Sequence, residues 1–210
     1  MPPMPQDYEI HSVIEEIHSL ANVSKIEYEC HLQITLDFVK VIKSILSRPS
    51  LKQISFAGAW HFSDSRFDTE EEFPKNCNVE EIGIEFDFHF FWSFEFWNKL
   101  FDALPNIKKV QIFNRFHSDN VDIDFENLPV FLKNISGLKH LKSLNVKIMC
   151  YHNFEYFDAQ KFGHILEIIK NNFPMNSEVT VEFIGRMNTL IEKKEGENPK
   201  IVNGLVNGLF

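Results

Sequence analysis

Paired cysteines are missing from this chain. Cys30, Cys77 and Cys150 lie far apart, with no C-x-x-C spacing, so neither a disulfide framework nor a cysteine zinc site is indicated. Basic charge is also short: 21 Lys and Arg face 30 Asp and Glu, a formal net charge of -9. Nucleic acid and anionic membranes carry the same sign, which excludes both as general partners. No apolar run approaches the roughly 20 residues that span a bilayer. The opening MPPMPQDYEI lacks the basic stretch and apolar core of a secretory leader. Without one, the sequons at Asn22 and Asn134 carry no meaning. The expectation is a soluble chain in a reducing compartment, cytoplasmic or nuclear. Phosphate loops, G-x-S-x-G elbows and Cys-His pairs are absent as well, so neither an enzyme nor a bound cofactor is expected.

What the chain does have is apolar content, 44% of its 210 residues, ample for one core. It also has a period. Residues 23–50, 51–78 and 79–106 align as units of 28 residues, followed by longer units at 107–140 and 141–176 and a partial one carrying SEVTVEFIG. Repeats of 20 to 50 residues mark stacked architectures. Apolar residues hold the first, fourth and sixth places: Val23, Ile26, Tyr28; Leu51, Ile54, Phe56; Val79, Ile82, Ile84; Ile107, Val110, Ile112; Leu141, Leu144, Val146. From the fourth place onward the alternation is that of a strand with one buried face.

The second half of most units changes period. Phe38, Val41, Ile42, Ile45 and Leu46 recur at helical intervals, as do Phe96, Leu100, Phe101 and Leu104, or Phe162, Ile165, Leu166, Ile169 and Phe173. Pro49, Pro105 and Pro174 stand just before the next strand, where a ring without an N–H stops a helix. Strand, helix and strand again in the same direction predicts a parallel sheet with helices on one side.

With their L-x-x-L-x-L spacing, the units resemble leucine-rich repeats of the ribonuclease-inhibitor-like class over roughly residues 23–185. Cys30 with Leu32, and Asn114 with Phe116, match the family's Asn or Cys place and the apolar place after it; Gly58, Phe86 and Ile148 depart from it. The resemblance implies an α/β solenoid, a curved parallel sheet of about five or six strands with helices on the convex side. Similar repeats bind substrates in F-box ubiquitin-ligase receptors, although no F-box-like segment stands at residues 1–22. Three regions are expected: a capping helix at 1–22, the repeat body at 23–185, and a C-terminal cap or partner-binding tail at 186–210. In that tail Ile201, Leu205 and Leu209 fall on one line and Val202, Val206 and Phe210 on another. FSDSRFDTEEEFPKN, residues 62–76, is expected as a loop where a helix would otherwise stand, and SDNVDIDFEN, 118–127, as a solvated connection.

Two constellations bear on function. His61, His89 and His117 are 28 apart, each after an aromatic residue, and would line one edge of the sheet. Three histidines with Asp87 or Glu85 as a base would make a metal-dependent enzyme the runner-up reading, but a ladder points its side chains in parallel rather than converging them. The other constellation is the sheet face opposite the core: Glu27, Glu29 and His31; Ser55, Ala57, Ala59 and His61; Gly83, Glu85, Asp87 and His89; Gln111, Phe113, Arg115 and His117; Asn145, Lys147, Met149 and Tyr151. Apolar and aromatic anchors beside mixed charge suit a protein interface. The expected function is a non-catalytic interaction module or scaffold, with Phe113, Arg115, Met149, Tyr151, His89 and His117 contacting a protein partner in a hetero-complex and no metal bound. A ubiquitin-ligase substrate receptor is the further alternative.

Overall fold

Period two and period 3.6 alternate along the folded chain as they do along the sequence. The computed structural model describes residues 5–19, 22–29, 36–57, 72–86, 94–116, 121–150, 159–184 and 187–205. Among them are five helices and eight strands, in the order α1 (Pro5–Ser19), β1 (Lys25–Glu29), α2 (Leu36–Leu46), β2 (Gln53–Ala57), β3 (Glu81–Phe86), α3 (Phe94–Asp102), β4 (Lys109–Phe116), α4 (Val121–Ser136), β5 (Ser143–Cys150), α5 (Ala159–Asn172), β6 (Glu178–Ile184), β7 (Met187–Lys193) and β8 (Lys200–Leu205). No described helix is long and apolar enough to cross a membrane.

All eight strands form one sheet in sequence order, β1 to β8. β1 to β6 pair in parallel, and β7 and β8 join antiparallel. Register keeps equivalent places level: Ile26, Ile54, Ile82, Val110, Leu144 and Val179 form one line across the strands, and Tyr28, Phe56, Ile84, Ile112, Val146 and Val181 another. Apart from the half-buried Tyr28 these lines are buried. They join the inward sides of the helices, among them Ile42, Ile45, Leu100, Leu132 and Ile165, in a single core. Each fully buried aliphatic side chain contributes about 1.5 to 3 kcal/mol. α1 packs against α2 and α4 against α5, with Ile17 buried and Val13 and Ile14 against the core.

The corners explain the prolines. Leu51 N–H donates to the Arg48 carbonyl, Ile107 to Leu104, Leu141 to Leu138 and Ser177 to Pro174, so four corners are one-bond turns. Pro49 and Pro105 take the second place, where a fixed φ suits the turn. Pro174 takes the first. Corner side chains then tie each of three corners to a stretch earlier in the chain: Ser50 Oγ donates to the Val23 carbonyl at 2.9 Å, Asn78 Nδ2 to Pro49 at 2.8 Å, and Asn106 Nδ2 to Cys77 at 2.7 Å.

Two expectations need correction. The sheet has eight strands rather than five or six, because after β6 the chain reverses and adds an antiparallel pair. Gly196, with φ of 78°, takes the left-handed place in the turn that closes β7 onto β8, where Glu197 N–H donates to the Lys194 carbonyl. Acidic residues 118–127 are not merely a connection: helix begins at Val121, anchored by buried Leu128, Phe131, Leu132 and Ile135. In the expected C-terminal region at 186–210, Met187–Lys193 and Lys200–Leu205 are strands, and residues 206–210 lie outside the described residues. Of the expected loop at 62–76, residues 62–71 lie outside the described residues, and 72–76 are neither helix nor strand.

Candidate functional site: the open face of the sheet

Because side chains alternate along a strand, burying places four and six of each unit turns places three, five and seven outward. In β2 the pattern is half-buried at Gln53, Ser55 and Ala57 and buried at Ile54 and Phe56. The same alternation runs through β3, β4, β5 and β6. The outward rows are chemically distinct. Place three carries Gln53, Glu81, Lys109, Ser143 and Glu178 in register, with Glu81 and Lys109 ion-paired. Place five is uncharged across Ser55, Gly83, Gln111, Asn145 and Thr180. Gly83 leaves little spare height there, since a Cβ would come within 3.1 Å of Ser55 Oγ. Asn145 Oδ1 is shielded from solvent and has no hydrogen-bond partner among the described residues. Place seven carries Glu85, Phe113, Lys147, Glu182, Leu190 and Val202, and Lys147 pairs with Glu182 at 3.2 Å.

The charges on this face are thus largely matched by cross-strand neighbours of opposite sign, and half-buried Phe113 lies level with Lys147 and Glu85. Arg115 and Met149 are register partners on β4 and β5. Three of the six expected contact residues therefore share two adjacent strands. Tyr151, His89 and His117 lie outside the described residues, as does His61. Among the described residues no group of three or more His, Cys, Asp or Glu could hold a metal ion. Expectation omitted the far side of the face: half-buried Ile184 at the end of β6, half-buried Leu190 on β7 and exposed Val202 on β8. Its only sequence signal is the short alternation in EVTVEFI and MNTLIEK.

Two polar side chains beneath the corners hold the framework. Asn76, 4% exposed, donates through Nδ2 to the Leu46 carbonyl at 2.9 Å and the Arg48 carbonyl at 2.7 Å. Its Oδ1 accepts from Asn78 N–H at 3.0 Å, and its own N–H donates to Ala103. It bridges the ends of α2 and α3 where the described part of the second unit has no helix. Lys193, 2% exposed, donates through Nζ to the carbonyls of Pro174, Met175 and Ser177. Burial pulls its pKa below the ordinary 10.5 and the Glu195 carboxylate opposes that shift, while three carbonyl acceptors hold the proton in place. At the strand starts the Lys108 hydrogen bond and charge, with Lys52 and Lys142 adding, hold the Glu80 carboxyl below its ordinary value.

Fold and face together define an α/β protein: a mostly parallel sheet with one face packed on helices and the other left open by the described residues. Comparison with protein-family models, with curated proteins and with solved structures gave no match.

Proposed function

We propose that this chain is a non-catalytic protein-interaction module of the cytoplasm or nucleus, built from leucine-rich-repeat-like units, which takes a protein partner on the open face of its sheet. The observation that carries the reading is the unbroken alternation of burial from β2 to β6, which leaves a wide surface that the core does not need. Its composition supports the same reading. Ion pairs matched within the face reduce any preference for highly charged ligands, and an aromatic ring beside Lys147, with Arg115 and Met149 on the neighbouring positions, is the kind of set from which interface anchors are drawn. The proposed contact set is Phe113, Arg115, Met149, Tyr151, His89 and His117.

Partner capture with mass spectrometry, followed by calorimetry on the purified pair, tests it. Phe113→Ala combined with Tyr151→Ala should weaken binding by at least about 2 kcal/mol and leave the unfolding midpoint nearly unchanged. The rival docking element is the end of the C-terminal segment, and a chain ending at Leu205 removes residues 206–210 while keeping β8. Full affinity in the double variant with loss in the folded shortened chain would reject the open face.

A further inference from the structure

The two rims of the sheet are not alike. At one rim β1 pairs only with β2, and at the other β8 pairs only with β7, among the described residues. A terminal strand leaves alternate N–H and C=O groups without a ladder partner, and sequences usually blunt such an edge with charge. β1 does so: Lys25 and Glu27 are both exposed and form an ion pair at 2.6 Å. β8 does not. Its six residues read KIVNGL, and its one charge, Lys200, is at the start and already faces Glu192 at 3.9 Å and Glu197 at 3.8 Å. Ile201 and Val202, next to each other and on opposite faces of the strand, are each 40% exposed. They are two of the four large apolar side chains exposed among the described residues, the others being Val130 and Met175.

We propose that β8 pairs with β8 of a second copy of this chain, antiparallel and across a twofold axis, so that two sheets become one. The chemistry of the edge names the occupant. Unpaired backbone groups accept another extended backbone, and the uncharged run that follows Lys200 suits a partner strand that brings no charge to its middle. A second β8 supplies both, and an isologous contact closes after two copies. Electrostatics permit it: a twofold centred on Val202 sets Ile201 against Asn203 and Lys200 against Gly204, so the two lysines never meet although the whole chain carries -9. One six-residue strand per copy makes a small contact, so the dimer is weak and reversible.

Sedimentation velocity on the full chain over a wide concentration range tests this. The expected result is a monomer-dimer equilibrium whose dissociation constant rises about tenfold or more in Val202→Lys, with no change in Glu27→Lys at the opposite rim. Hydrogen exchange on the unaltered chain covers the case in which Val202→Lys fails to fold: amides of residues 200–205 should gain protection as concentration rises. A chain that stays monomeric throughout, protection at 200–205 that ignores concentration, or a dimer lost in Glu27→Lys but kept in Val202→Lys would each overturn the proposal.

Discussion

Asn76 closes two helix ends with one residue, and its removal has a predictable cost. Asn76→Ala leaves the Leu46 and Arg48 carbonyls without their donor in a buried place, a loss of about 1 to 3 kcal/mol to be read from urea unfolding. Asn76→Asp should cost more than Ala, because it points a carboxylate at two carbonyl oxygens. Lys193→Met keeps the length of the side chain but strands three acceptors, and should also lower stability by about 1 to 3 kcal/mol. Glu80 works through pH. Its folded pKa lies below its ordinary value of 4.5, so the unfolded chain takes up the proton first as acid is added. The stability it contributes is complete above pH 4.5 and is lost as pH falls through the folded value. Glu80→Gln should flatten that part of the stability-pH curve, which thermal melts between neutral and acid pH will show.

Among the elements, the strands divide their residues sharply. Ile82, fully buried in β3, and Ile112, 2% exposed in β4, should each cost about 2 to 5 kcal/mol when cut to Ala. Glu85→Ala and Gln111→Ala, on the open face, should lie within about half a kcal/mol of the parent; denaturant midpoints of the four variants compare the two faces directly. These faces were legible in the sequence because β1 to β6 repeat one apolar pattern at nearly constant spacing, and a parallel ladder in register needs no more than that. α4 was hidden by its acidic first turns and by Pro129, which stands inside the helix where a missing N–H would normally end it. β7 and β8 were hidden because the period stops at β6, and a strand in a hairpin is defined by the neighbour it meets. For the open face, the positions could be read but the affinity could not: pairing of Glu81 with Lys109 and Lys147 with Glu182 depends on register, whereas a partner leaves no trace in the period. The corner bonds were equally invisible, since each joins a side chain to a backbone carbonyl 27 to 29 residues away.

On the scale of the molecule, every described strand pairs only with its neighbours in sequence. Protection from exchange should therefore grade from rim to centre. Amides of β4, β5 and β6, flanked on both sides and backed by Val110, Leu144, Val146 and Val179, each no more than 1% exposed, should exchange most slowly, and those of β1 fastest; mass-resolved exchange on dilute protein measures the gradient. The corner ladder adds a direction to this order. Ser50, Asn78 and Asn106 each donate to a carbonyl earlier in the chain, and so do the backbone N–H groups of Lys52, Glu80, Lys108, Lys142 and Glu178. A chain leaving the ribosome from its N-terminus thus presents, at each new corner, donors whose acceptors have already emerged. Assembly can keep pace with translation, each unit docking on its finished predecessor without waiting for the C-terminus.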